Sequence, residues 1–294
     1  MFLDTLSRSW EYAKCSYRVI WDHKQLTIFP IISGIATILV SASFLGPLFL
    51  TGTAQSWLEL MDSSNTAQAT PATHIAIWTT TFLFYFCNYF VIVFFNTALT
   101  ACAMQVVSGE PPSISHGFGI ASKRLPQIFG WALLSAVIGV ILKAIENSNE
   151  KVGAFISSIL GMAWTAITYF VVPTLVIEGS GPITSVKRSL SILKDNWGTA
   201  LVGNFSMGWV GLLLMIPGIL IGGIILFLGA GAASSGLLIG LGIAIIVLTV
   251  LIVSIWSSAA DVVFKAILYN YATGKSVPQN LNPQMFQDAF RSRN

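Results

Sequence analysis

The side chains with most chemical potential in this chain are few, and they lie inside apolar stretches. Asp261 falls in the last of six long hydrophobic runs with Lys265 four residues on, while Asn96 and Thr168 are polar positions in two other runs. An ionisable residue inside such a run is costly and usually faces a bundle interior or water, which makes Asp261 a candidate for ion or proton coupling. The four-residue spacing to Lys265 supports a plainer reading, a helical ion pair near the membrane interface. Counting thirteen residues back from Gly109, Gly181 and Gly274 gives Asn96, Thr168 and Asp261. That common register defines a polar cluster, or the lining of a transport path, and the structural cluster is the favoured reading.

Catalytic chemistry is not legible. His23, His74 and His116 are single residues in separate segments, and no His pair has metal-ligand spacing. Zincin, nucleophile-elbow, P-loop and Asp-rich motifs are all missing from the sequence. The expectation is a non-enzymatic protein with no metal, cofactor or nucleic-acid partner. Cys15, Cys87 and Cys102 are odd in number, one in a basic segment and two in a single apolar run, which points to free thiols rather than a disulfide framework.

Composition sets the class. Hydrophobic residues make up 54% of the chain and charged residues 9%, against about 25% charged in a soluble domain. A bilayer core needs about 20 apolar residues per helical crossing. Six runs meet that length: Leu26 to Leu50, Ile75 to Val107, Pro126 to Ile145, Val152 to Ile177, Ala200 to Leu228 and Gly236 to Tyr271. They lack the period-two alternation of barrel strands, so the fold class is all-α, a polytopic membrane protein of six transmembrane helices. Residues 1–25 mix Arg8, Lys14, Arg18 and Lys24 with Asp4, Glu11 and Asp22, too charged for a signal n-region, so the first run is expected to be retained.

Charge sets the orientation. Thirteen of fifteen Lys and Arg residues lie in four segments at alternate gaps: residues 1–25, Lys123 with Arg124, Lys187 with Arg188 and Lys194, and the tail with Lys265, Lys275, Arg291 and Arg293. Residues 51–74 carry Glu59 and Asp62 but no Lys or Arg. The positive-inside rule puts the four basic segments and both termini in the cytoplasm, with a bacterial cytoplasmic (inner) membrane as the location.

The same segments repeat. Arg8-Ser-Trp-Glu-Tyr-Ala-Lys14 precedes the first run and Arg188-Ser-Leu-Ser-Ile-Leu-Lys194 the fifth, each followed three residues later by an aromatic; a weaker counterpart begins at Lys123 and Arg124. The second, fourth and sixth runs end in Gly-containing turns. The unit is a basic amphipathic helix, an outward span, a turn and a return span. It is used three times within a single membrane domain, 1–294, as units of about 1–109, 110–181 and 182–294, which implies three sequential α-hairpins around a pseudo-threefold axis. Over residues 183–197, Ile183, Val186, Leu190, Leu193 and Trp197 form one apolar stripe opposite Lys187, Arg188 and Lys194. Such a helix suits the plane of anionic headgroups, or a collar beneath the bundle. Pro173 is expected to loosen the fourth span one turn earlier, and Glu178 to cap the helix after Pro182 or to pair with Lys187 or Arg188. Gly218 with Gly222 and Gly236 with Gly240 form small-residue steps that allow close helix approach. Phe82, Phe84, Phe86, Phe90 and their neighbours give the second span an aromatic surface suited to lipid, a quinone-like tail, another subunit or packing.

The stretch from Pro173 through Glu178, Gly179 and Pro182 to Lys187, Arg188, Ser189 and Lys194 resembles the hallmark of a broad group of six-helix bacterial and archaeal membrane proteins of unknown function. That group includes the membrane domain fused to some glycerophosphoryl diester phosphodiesterases. The resemblance implies the six-helix architecture; no phosphodiesterase domain accompanies it in this sequence, so that activity does not carry over. Two functions follow as expectations. The first is a membrane scaffold or assembly factor whose basic helices, through Arg8, Lys14, Lys123, Arg124, Lys187, Arg188 and Lys194, meet anionic lipid headgroups, a second copy or a membrane-protein partner. The alternative is a small-solute or ion transporter with a path lined by Asn96, Thr168 and Asp261.

Overall fold

The computed structural model describes residues 14–52, 70–148, 152–195, 197–231 and 236–274, with the side chains of 195–207 not described. Arg8, most of the 51–74 connection, Lys151 and the basic tail from Lys275 lie outside the described residues. Among those described, the chain is helical, with no strand. Residues 14–22 form α1, followed by a 3₁₀ turn, Lys24–Thr27, and α2, Ile28–Leu50. Then come α3 (Pro71–Val107), α4 (Ile114–Lys123), α5 (Leu125–Glu146), α6 (Val152–Ile167), α7 (Val171–Glu178), α8 (Pro182–Asp195), α9 (Trp197–Gly231) and α10 (Gly236–Ala272).

Six of these stretches are long and apolar enough to cross a membrane: Lys24–Leu50, Pro71–Val107, Leu125–Glu146, Val152–Glu178, Gly208–Gly231 and Gly236–Ala272. Each overlaps one of the six runs read from hydropathy, with ends within a few residues except the start of the fifth, Gly208 against Ala200. Their outer faces carry Ile38, Phe49, Phe155, Met162, Phe227 and Leu237, all more than half exposed. Rows of large apolar side chains facing outward along helices of this length fit lipid as the surrounding solvent.

The chain divides into two compact units. The first comprises residues 1–30, 102–112 and 196–294. Its frame is α9 against α10, and glycines set how closely they approach. A Cβ at Gly222 would stand 2.8 Å from Gly242 O and 2.6 Å from Ile246 Cγ1, and one at Gly242 would stand 2.7 Å from Gly222 O. Gly218 faces Thr249, and Gly229 faces Leu238. Residue numbers fall along one helix as they rise along the other, so the pair is antiparallel. Gly236 and Gly240, expected from their spacing to form the second small-residue step, meet nothing. The glycine that receives α9 is Gly242, which two more residues of rotation bring to the seam. α1 joins this pair through Trp21 and Trp256, whose rings lie 5.5 Å apart.

The second unit comprises residues 31–101 and 113–195. Phe44 packs edge-on to Phe84 at 5.8 Å, and Ser41 donates to Asn88 Oδ1 at 3.4 Å, which ties α2 to α3. Trp131 stacks on Trp164 at 5.7 Å, and Ser157 donates to Leu142 O at 2.9 Å, which ties α5 to α6. The aromatic run of α3 packs largely on itself: Phe82, Phe86, Phe90 and Phe94 follow one another at helical spacing with centroids 6.3 to 6.5 Å apart. Phe129 of α5 and Phe118 of α4 complete the ladder.

Candidate functional site

The fourth span is two helices, α6 and α7, joined by three turn residues, 168–170. Pro173 lies within the first turn of α7, where its missing N–H and fixed φ are tolerated; in an unbroken helix its ring would press on the carbonyl four residues back, that of Tyr169. The chain therefore unwinds before the proline. Tyr169 N–H turns to Ala166 O and Val171 N–H to Thr168 O, each one residue short of the α-helical partner. Phe170 N–H and Ile167 C=O then need partners in an apolar surround. Both find the same one. Ser189 Oγ of α8 accepts from Phe170 N–H at 3.0 Å and donates to Ile167 O at 2.6 Å. Ser189 and Phe170 are fully buried, where an unmet backbone group costs about 1–3 kcal/mol.

The turn between α7 and α8 is held as closely. Gly179 has φ +65°, the left-handed region that suits glycine, and caps α7. The Arg124 guanidinium lies over it, in the space that a side chain would fill. Arg124 donates to Val176 O at 3.4 Å, and Gln127 donates to Gly179 O at 3.3 Å. Pro182 packs on Gly130, where a Cβ would stand 2.9 Å from the ring. Glu178 pairs with Arg188 at 3.0 Å, an exposed contact that contributes about 1 kcal/mol at most. Of the basic residues read as headgroup contacts, Arg124 and Arg188 are thus engaged with this turn. Lys123, Lys187 and Lys194 are exposed at the protein surface, as is Lys14 in the first unit.

Of its apolar stripe, α8 buries only Leu193 among the described residues. Its buried face carries Ser185, Ser189, Ile192 and Leu193, while Ile183 is 66% exposed and Val186 and Leu190 are only partly covered. At 100° per residue the buried face is rotated by roughly a quarter turn from the stripe read in the sequence. The cause is Ser189, whose two bonds to the break fix the helix rotation. What remains outside is an apolar flank, Ile183–Val186–Leu190, directly beside a cationic one, Lys187 and Lys194. Ser189 was missed because a serine in an amphipathic pattern reads as polar filler. The available signal was a serine pair four residues apart, Ser185 and Ser189, facing a proline-broken span.

The polar residues read as one register do not share it. The left-handed cap of the fourth span is Gly179, not Gly181, so the position thirteen residues before it is Ala166 and Thr168 is out of register with Asn96 and Asp261. Thr168 Oγ1 bonds back to Trp164 O at 2.7 Å, beside the break, and Asn96 O accepts from Thr100 Oγ1 at 2.7 Å. Both belong to the second unit and Asp261 to the first. Asp261 pairs with Lys265 at 2.6 Å, with their side chains 30% and 27% exposed. One turn back, Ser257 Oγ lies 2.6 Å from Tyr17 Oη, and Gly211 of α9 lies against Ser257. Ser257, Asp261 and Lys265 thus form a polar ladder at four-residue spacing, closed at one end by α1. Burial raises the Tyr17 hydroxyl pKa above its ordinary value; the Ser257 bond opposes that shift and the Asp261 charge adds to it. Burial likewise pushes the Cys15 thiol up to about 11, against the opposing pull of Arg18. No group of three or more His, Cys, Asp or Glu side chains among the described residues could hold a metal.

A search of the curated proteins finds no match to this chain. A family model does match, over residues 75–277, from the second span through the sixth and including the Pro173–Lys194 segment with Ser189. The chain belongs to that family, a family of unknown function (DUF6159).

Proposed function

We propose that this is a non-enzymatic multi-pass membrane protein of the bacterial inner membrane, a scaffold or assembly factor that engages the lipid of the inner leaflet. Both termini are cytoplasmic in this reading, and the six spans form three sequential hairpins related by a pseudo-threefold axis, each led by a basic amphipathic helix. The likeness to membrane domains fused to phosphodiesterases belongs to the same reading, as architecture without the activity. One observation carries the function: α8 shows an apolar flank, exposed Ile183 with half-buried Val186 and Leu190, immediately beside the exposed Lys187 and Lys194. An apolar flank bordered by lysines is the surface that an anionic leaflet binds, acyl chains on one side and phosphates on the other. The transporter alternative rests on Asp261, and the close Lys265 partner favours a structural role for that carboxylate.

The test is lipid retention. Wild type and a Lys187→Gln/Lys194→Gln variant would be extracted from the same membranes and their co-purifying phospholipids quantified by mass spectrometry. The variant should lose phosphatidylglycerol relative to phosphatidylethanolamine on the order of tenfold, since each surface lysine contributes roughly 1 kcal/mol toward an anionic leaflet. An unchanged ratio would sink the proposal.

A further inference from the structure

We propose that Ser189 is a latch that couples occupancy of the α8 surface by anionic phospholipid to the conformation of the fourth span. This deepens the lipid-engagement reading and rests on it. The break at 168–170 has two ways to satisfy its backbone. In the observed state Phe170 N–H and Ile167 C=O both bond Ser189 Oγ. In the other, the chain rewinds: Phe170 N–H returns to Ala166 O and Val171 N–H to Ile167 O, and the span becomes one helix with a kink at Pro173. Rewinding leaves Ser189 without its partners, so α8 must rotate or lift from the span.

The two states therefore differ in where α8 sits, and this is the helix whose exposed flank faces the leaflet. Ser189 lies at the centre of the buried face, with Ser185 one turn before it and Ile192 and Leu193 one turn after. The flank of Ile183, Lys187, Leu190 and Lys194 is presented only while that face is seated. A lipid shifts an equilibrium by its differential affinity for the two states, and here the seated state alone offers acyl-chain and phosphate contacts together. Anionic lipid favours the broken, latched span. A neutral leaflet leaves the latch to its hydrogen bonds alone.

Spin labels at Met162 on α6 and Thr184 on α8, both exposed and in the same compact unit, report the two states. Cys15, Cys87 and Cys102 would be replaced by alanine, and distances measured by double electron–electron resonance in nanodiscs of phosphatidylglycerol or phosphatidylcholine. Wild type should give one distance in phosphatidylglycerol and a second population in phosphatidylcholine, with a change in their ratio on the order of tenfold. Lys187→Gln/Lys194→Gln in phosphatidylglycerol should resemble wild type in phosphatidylcholine. Ser189→Ala should show the second population in both lipids, with its helical circular dichroism retained. Lost lipid retention in the lysine variant with unchanged distances overturns the latch alone. Unchanged retention overturns the surface reading and the latch together, because no lipid occupancy of α8 would then be left to couple to the span. If Ser189→Ala fails to insert, the wild-type and lysine-variant comparison decides the matter by itself.

Discussion

Gly242→Val should dismantle the α9–α10 pair, whereas Gly240→Val should leave it standing. A Cβ at Gly242 would meet Gly222 O at 2.7 Å, Leu226 N at 2.8 Å and Leu226 Cβ at 2.9 Å, two of the three being backbone atoms that cannot swing aside. Small residues at such seams replace the hydrophobic driving force that lipid-embedded helices lack, because packing depends on how closely the backbones approach. Overpacking typically costs about 1–3 kcal/mol, and a branched side chain against main chain belongs at or above the top of that range. Gly240 has open space around it, so valine there adds lipid-facing surface alone. Fluorescence-detected size exclusion after a heat ramp checks this: Gly242→Val should lose its monodisperse peak at the lowest temperatures, with Gly240→Val following wild type. Equal behaviour of the two variants would refute the packing described for the seam.

The second large effect is expected at Gly179. Alanine there must adopt φ near +65°, which costs roughly 1–2 kcal/mol for a residue with a Cβ, and its methyl would collide with the Arg124 guanidinium. Gly179→Ala should therefore destabilise by about 2 kcal/mol or more. Arg124→Ala should cost less, losing one long hydrogen bond to Val176 O. Combining them should be milder than the sum of the two, because removing the guanidinium relieves the collision while the backbone strain persists. Thermal melts of the four proteins in one detergent form the double-mutant cycle; strict additivity would mean that Arg124 does not sit over the turn.

The spans were legible because about 20 consecutive apolar residues have few other uses, and the Pro173 break because a missing N–H has a local consequence that no packing can hide. Rotation and register were not. The stripe from Ile183 to Leu193 told where apolar side chains lie on α8, but a pair of hydrogen bonds from Ser189 to a distant backbone decided which face is buried. Between Gly179 and Gly181, sequence alone could not say which adopts a left-handed conformation, and that two-residue choice moved Thr168 out of register with Asn96 and Asp261. Likewise Gly236, Gly240 and Gly242 are equally small, and only the docked helices distinguish the one that receives Gly222. Tyr17 and Ser257 had no local signature, since their contact joins positions 240 residues apart.

Sidedness offers the most direct measurement. Single cysteines would replace Ala72, exposed at the start of the second span, and Thr184, exposed on α8, in a background without Cys15, Cys87 and Cys102, and sealed right-side-out vesicles would be treated with a membrane-impermeant maleimide. A protein with cytoplasmic termini and α8 on the inner leaflet labels at position 72 in sealed vesicles and at position 184 only after permeabilisation. Labelling of position 184 in sealed vesicles, with position 72 protected, would contradict it.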